Sequence, residues 1–152
     1  MKKIFLMIII LGNLILFTGC EKDKNYIIDI DLAKENLTTY EEFDNCEEMT
    51  KEDMESIYDF DTNLLEEYTI MMPKVSNNAS MYMILKVKSE NQDEVRNMLN
   101  NFTDKYIQQF NLYAPEQVDL IDNKVISIKD EYIIYLISND NKSVLEVIRN
   151  SN

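Results

Sequence analysis

The residues of this chain that could do chemistry are two cysteines, Cys20 and Cys46, and 28 acidic side chains. The 152 residues contain no histidine, which excludes Ser-His-Asp and Cys-His catalytic centres and any histidine metal ligand. Both glycines, Gly12 and Gly19, lie near the N-terminus, so the remaining chain has no glycine-rich loop that could bind phosphate groups. The formal net charge of -13 repels phosphate backbones, and we therefore expect no nucleic-acid partner.

Cys20 closes an N-terminal segment that has the features of a secretory signal. Two lysines precede an apolar stretch, residues 4–17, which is shorter than the roughly 20 residues of a membrane-spanning helix. The ending Leu16-Phe17-Thr18-Gly19-Cys20 resembles the bacterial lipobox, although Phe17 stands where leucine is usual. The resemblance implies cleavage between Gly19 and Cys20 and lipid attachment to the Cys20 thiol, which makes Cys20 a diacylglyceryl cysteine with palmitate among its acyl chains.

The lipobox divides the chain into three parts. We expect a signal peptide at residues 1–19, the lipid-bearing Cys20 with a short charged tether at residues 20–28, and one domain at residues 29–152. Two or more acyl chains hold a protein stably on a bilayer, which predicts a location on the outer, extracytoplasmic face of the cell membrane. The alternatives are an uncleaved N-terminal anchor and a secreted protein with a structural cysteine.

Cys46 is the only thiol left if Cys20 carries lipid, so no intramolecular disulfide can form. The chain has no histidine to activate this thiol, and the neighbouring Glu47 and Glu48 are expected to raise its pKa. We therefore interpret Cys46 as a small buried apolar residue beside Phe43 and not as a nucleophile.

The carboxylates are so numerous that a pair is easily found without forming a site. Asp59-Phe60-Asp61-Thr62-Asn63 begins like a calcium-binding loop, which also needs a glycine at about position six and a glutamate at about position twelve. Leu64 and Ile70 stand at those positions, so we predict a turn and no dedicated metal site. Weak cation binding by clustered acids and hydrolysis by a carboxylate pair stay open as alternative functions.

Tyr113-Ala114-Pro115-Glu116-Gln117 is the most distinctive local string. A proline after a helix is a stop signal, so we expect Tyr113 to pack beneath this turn and Glu116 or Gln117 to bind backbone amides. The alternative is a ligand-contacting loop formed by Tyr113, Pro115, Glu116 and Gln117. No residue of the chain is predicted to be catalytic, and no cofactor is predicted.

Hydrophobic spacing predicts the elements that must position these residues. A helix is expected over residues 29–37 with Asp31 as N-cap, and another from Thr50 to about Asp59, where acids follow the capping threonine. The acidic connector at residues 40–49 has only weak helical spacing. The later elements are strands at 68–75 and 81–88, a helix from a capping box at Ser89 to Pro115, an extended segment at 118–120, strands at 124–128 and 132–137, and a helix capped by Asn139 or Asp140.

The order β-β-α-β-β-α predicts an α+β fold. We expect a two-layer sandwich in which a mostly antiparallel four-stranded sheet has its helices packed on one face. Residues 132–137 are apolar on both faces and are predicted to form a central strand. The hairpin turns are predicted at Asn77-Asn78 and Asp130-Glu131, and Pro73 is expected at a strand end or edge because it has no amide hydrogen.

Short strings in a particular order and spacing carry a further resemblance, from about Tyr58 to Ile148 and more weakly upstream to Asp31. They are Ser56-Ile57-Tyr58, Met71-Met72, Leu85-Lys86-Val87-Lys88, the helix that starts at Val95, Tyr113-Ala114-Pro115-Glu116-Gln117, Tyr132, and Ile137-Ser138-Asn139-Asp140. In these features the chain resembles the small Firmicutes-type bacterial lipoproteins grouped as domain of unknown function 4358.

The chain departs from that family's pattern at two places. Met81 stands where members often carry an acid, and Asp130-Glu131 stands where they often have a glycine-asparagine turn. The resemblance implies an extracytoplasmic lipoprotein with an α+β fold, and it implies no activity, substrate or catalytic residue. We therefore expect a membrane-anchored binding or accessory module with a protein or cell-envelope partner, and an enzyme is the less favoured interpretation.

Overall fold

The computed structural model describes residues 26–74 and 77–152. The predicted signal peptide, the predicted cleavage site at Gly19 and the predicted lipid-attachment residue Cys20 lie outside the described residues. In the part of the chain that is described, no helix is both long and apolar enough to cross a membrane.

The strands of the described residues are β1 (Cys46–Glu48), β2 (Leu65–Pro73), β3 (Met81–Val87), β4 (Val125–Lys129) and β5 (Tyr132–Ile137). These five strands form one antiparallel sheet in the order β1-β2-β3-β5-β4. The predicted four-stranded sheet is wrong by one strand, because β1, a short strand in the acidic connector, pairs with the end of β2. The two predicted hairpins are present, and they meet where β3 pairs with β5 in the middle of the sheet.

The helices of the described residues are α1 (Ile30–Leu37), α2 (Lys51–Tyr58), α3 (Gln92–Tyr113), α4 (Val118–Asp122) and α5 (Asn141–Arg149). They cover both faces of the sheet, so the predicted one-sided arrangement is also wrong. Successive side chains of a strand point to opposite faces. Met83 and Tyr135 pack with α2 and α3 on one face, and Ile84 and Ile134 pack with α1 and α5 on the other. The central strands β3 and β5 are apolar on both sides, so each side needs a covering layer.

The helix starts show which capping predictions were right. Thr50 and Asp140 are N-caps, each accepting the amide three residues on at 3.1 Å, as predicted. The first helix is capped by Asp29 and not by Asp31, because Asp29 accepts the amide three residues on at 2.9 Å. The prediction of a capping box at Ser89 is wrong. This residue begins a single 3-10 turn, and α3 follows the turn without a side-chain cap.

Turns and short segments differ in how well they were predicted. Pro73 ends β2 as expected, and the Asp130-Glu131 turn joins β4 to β5. Asp130 has a φ of 50°, in the left-handed region where glycine is the easiest residue. The prediction of an extended segment at residues 118–120 is wrong, because Val118–Asp122 is helical and buries Ile121 in the core.

The two ends of the sheet are distinguished by the residues at them. Because β3 and β5 are antiparallel, Ser80 before β3 and Ser138 after β5 lie at one end, which we call the Ser80 end. Val87 and Tyr132 lie at the opposite, or Tyr132, end. The seven residues of β3 separate these ends by about 20 Å.

The first described residues lie at the Tyr132 end. The ring of Tyr26 meets that of Tyr132 edge-on at 5.9 Å, and Lys129 Nζ lies 4.1 Å from the Tyr26 ring centroid. Ile28, which the sequence placed in the tether, is 2% exposed and belongs to the core shared by α1 and α5. The Asp29 amide then donates to the carbonyl of Ser151 at 2.8 Å, so the two ends of the domain are adjacent.

Candidate functional site

A cleft of about 570 Å³ opens at the Ser80 end of the sheet. Its walls come from the 3-10 turn after α1, the loop before β3, the segment from the 3-10 turn after α3 through α4, and the residue that follows Ser138. The lining side chains are almost all amides or carboxylates, and none is basic. They are Glu42, Asn77, Asn78, Glu116, Gln117, Asp119, Leu120, Asn123 and Asn139.

Glu42 ties the ends of the two central strands together. Its Oε1 accepts a hydrogen bond from Ser138 Oγ at 2.6 Å, and its Oε2 accepts one from Ser80 Oγ at 3.0 Å. Oε2 also accepts the Asn139 backbone amide at 2.9 Å and Asn139 Nδ2 at 2.8 Å. Because both carboxylate oxygens accept hydrogen bonds from the protein, Glu42 fixes the shape of this wall of the cleft.

Local packing explains why Glu42 reaches this position. Phe43 follows it in the 3-10 turn and is buried edge-on against Tyr82 of β3, with ring centroids 5.2 Å apart. The backbone carbonyl of Glu42 accepts Asn78 Nδ2 at 2.9 Å, and Asn78 Oδ1 accepts the Ser80 amide at 2.9 Å. The turn is therefore held on one side by an aromatic contact and on the other by the loop before β3.

The loop after α3 has one of its predicted roles and lacks another. Gln117 Oε1 accepts the Ala79 amide at 3.1 Å, as expected of a residue that binds backbone amides. Tyr113 does not pack beneath the turn, because it is 72% exposed and Ala114 is buried in its place. Of the four residues of the alternative ligand loop, Glu116 and Gln117 line the cleft, whereas Tyr113 and the exposed Pro115 are outside its lining.

The free polar groups of the cleft decide what it can bind. Asn77, Glu116 and Asp119 make no side-chain hydrogen bond or ion pair within the described residues, and all three are exposed. Carboxylates only accept hydrogen bonds, and amide side chains both donate and accept. The cleft therefore suits a polar ligand that presents hydroxyl, amide or ammonium donors. Glu116 and Asp119 are exposed, and the carboxylate oxygens of Glu42 already accept hydrogen bonds from the protein. These three acids therefore do not form a buried acid pair.

Cys46 lies behind the cleft, and its thiol donates to the Ser80 carbonyl at 3.5 Å. Burial raises the pKa of Cys46 to about 11, and the charge of Glu42 adds to the effect. The pKa of Cys46 is raised, as the sequence predicted, but the causes are burial and the charge of Glu42. The predicted causes, Glu47 and Glu48, are exposed. The thiol is half-buried and protonated at neutral pH.

The calcium-like string forms a turn, as predicted. Asp59 ends α2 with a φ of 53° and contacts Lys105. Asp61 Oδ1 accepts hydrogen bonds from the backbone amide of Asn63 at 2.9 Å and from Asn63 Nδ2 at 2.8 Å, so this oxygen holds the turn together. Among residues 26–74 and 77–152, no three His, Cys, Asp or Glu side chains come together in a group that could hold a metal ion.

All of the residues that line the cleft, except Asn139, lie in a segment that matches a known family. A family model described as Domain of unknown function (DUF4358) matches residues 39–138. The chain belongs to this family. The resemblance ran from about Tyr58 to Ile148 and more weakly upstream to Asp31. The DUF4358 match starts within that weaker part and ends before Ile148, so it includes Glu42 and the loop after α3 but excludes α1 and α5. Comparison with curated proteins and with solved structures finds no match.

Sequence reasoning did not single out Glu42 or the asparagines of the cleft as binding residues. Glu42 stands among many acids in the connector, and its donors are about 40 to 100 residues away, so only the fold brings them together. Asn139 was named only as a possible helix cap and as part of the string Ile137-Ser138-Asn139-Asp140. That string and Tyr113-Ala114-Pro115-Glu116-Gln117, whose Glu116 and Gln117 line the cleft, are the local signals that pointed to this end of the sheet.

Proposed function

We propose that this DUF4358 protein is a lipid-anchored extracytoplasmic lipoprotein that acts as a binding or accessory module, with the cleft at the Ser80 end as its recognition surface. The lipobox-like sequence before Cys20 supports the anchor. The observation that carries the binding role is the pair Glu116 and Asp119, which line the cleft and have no partner among the described side chains. The expected ligand is polar and rich in hydrogen-bond donors.

The anchor is tested by labelling cells with an alkyne analogue of palmitate. Cys20→Ala should abolish labelling and release the protein from the membrane fraction. Cys46→Ala is the matched control, because it removes the other cysteine and should leave the label in place. Labelling that persists in the Cys20→Ala protein would overturn the lipoprotein assignment.

The binding role is tested with a photoreactive amino acid placed in intact cells at Asp119, which is exposed in the cleft. The same residue at Asp93, exposed at the start of α3, is the matched control. We expect an adduct of defined mass at position 119 that is absent at position 93 and weakened by Glu116→Ala. Identical adduct patterns at both positions would contradict recognition by the cleft.

A further inference from the structure

We infer that the cleft faces away from the bilayer, so that its ligand comes from the extracytoplasmic space beyond the membrane and not from the lipid headgroups. This inference rests on the proposed anchor at Cys20. It combines the position of the cleft in the fold, the length of chain between Cys20 and the domain, and the charge of the cleft.

The chain enters the domain at the end of the sheet opposite the cleft. Tyr26 is held at the Tyr132 end by its edge-on contact with Tyr132 and by Lys129 over its ring. Ile28 is buried in the core directly after it. The cleft is at the Ser80 end, about 20 Å away along β3.

The tether is at most about as long as that distance. Six peptide units join Cys20 to Tyr26. Fully extended they span about 21 Å. If the cleft rested on the bilayer, Tyr26 would stand about 20 Å above it, so that orientation would need the whole length of the tether. With the Tyr132 end at the membrane no stretching is needed, and this orientation is favoured because stretching a chain costs conformational entropy.

The charge of the cleft favours the same orientation. Glu116 and Asp119 are exposed in it, and none of its lining residues is Lys or Arg. Bilayers rich in anionic lipids have a negative surface potential, which repels such a surface. An anionic headgroup is therefore a poor ligand for the cleft, whereas a donor-rich polar molecule beyond the bilayer is compatible with it.

The orientation can be measured with two matched glutamates. Glu131 lies in the turn at the Tyr132 end and Glu116 in the cleft, and both are exposed with no side-chain hydrogen bond in the described part of the chain. Glu131→Cys and Glu116→Cys are made separately in a Cys46→Ala background and labelled with one fluorophore. The full-length lipidated proteins are placed in phosphatidylglycerol vesicles that contain a lipid with a nitroxide headgroup.

We expect quenching to be several-fold stronger at position 131 than at position 116. Equal quenching, or stronger quenching at position 116, would overturn the orientation. A flexible Gly/Ser insertion of about 20 residues before Tyr26 has a root-mean-square length of its own of about 25 Å, longer than β3, and should remove the difference. A difference that survives the insertion unchanged would show that the tether does not set the orientation, which also overturns the inference.

Flotation of the vesicles separates this inference from the anchor itself. Protein that fails to float with the vesicles, as expected for the Cys20→Ala variant, would overturn the anchor and the orientation together. Protein that floats but is quenched equally at both positions retains the anchor and overturns the orientation alone.

Discussion

Replacing Glu42 with alanine should destabilise the fold by an amount that the contacts of its carboxylate determine. The side chain accepts hydrogen bonds from Ser80, Ser138 and Asn139. Ser80 and Ser138 are 0% and 2% exposed, so their hydroxyls are already removed from bulk water. After the substitution both hydroxyls lose their acceptor at the joined ends of β3 and β5.

A buried polar group without a partner costs about 1–3 kcal/mol. Two such hydroxyls, with some relief from water entering the open cleft, give a loss of roughly 2–4 kcal/mol in the free energy of unfolding for Glu42→Ala. For a chain of this size that corresponds to a fall in Tm of roughly 6–12 °C. Adding Ser80→Ala removes one of the orphaned hydroxyls, so the double variant should be more stable than additivity predicts, by about 1 kcal/mol.

The measurement is urea unfolding of a soluble form that starts at Glu21, followed by circular dichroism. Glu41→Ala is the matched control, because Glu41 is the exposed neighbour and makes no side-chain hydrogen bond within the described residues. Its effect should stay within about 0.5 kcal/mol. If Glu42→Ala is no more destabilising than Glu41→Ala, the carboxylate does not hold the two strands together and the reasoning fails.

Three further outcomes are expected. With its pKa raised to about 11, Cys46 should react with iodoacetamide at pH 8 about a hundredfold more slowly in the native protein than in urea, and equal rates would contradict its burial. The hydroxyls of Thr103 and Tyr135 lie 2.9 Å apart in the core, and Thr103 also donates to a backbone carbonyl. Thr103→Val should therefore lower the free energy of unfolding in urea by about 1–3 kcal/mol, and Tyr135→Phe should lower it by about 1 kcal/mol. The reverse order of the two effects would refute these hydrogen bonds of Thr103. Lys34, 2.9 Å from Glu48, lowers the pKa of that carboxyl, so the pair stabilises the fold above the ordinary pKa of about 4.3 and the effect is lost as pH falls through the lowered value. Lys34→Met should flatten this acid-range loss of stability by less than about 1 kcal/mol, because Glu48 is exposed and Lys34 is only partly buried, and an unchanged pH profile would contradict the pairing.

Elements with dense apolar spacing were predictable from the sequence. Tyr132–Ile137 has β-branched and aromatic residues on both faces, and it is a central strand. The long helix that ends before Pro115 and the helix capped by Asp140 were also predicted, because their apolar positions recur at helical spacing. In these segments local preference and tertiary packing agree.

Elements whose existence depends on distant partners were not predictable. Cys46–Glu48 is only three residues long and largely exposed, and it is a strand because β2 pairs with it. The second helical layer was missed because a strand that is apolar on both faces does not specify what covers each face. Of the cleft, only Glu116 and Gln117 were named in advance as residues of a possible ligand loop. The other lining residues were not, since they come from segments that are far apart in the chain.

The hydrogen bond between the Asp29 amide and the Ser151 carbonyl brings the two termini of the domain together beside the point where the chain enters. Circular permutation is therefore feasible, because a short linker could join these ends while new termini open elsewhere on the surface. A reporter domain fused after Asn152 would emerge close to Tyr26 and far from Glu116, so it would leave the cleft unobstructed. Such a fusion could follow the protein in living cells without competing for the recognition surface.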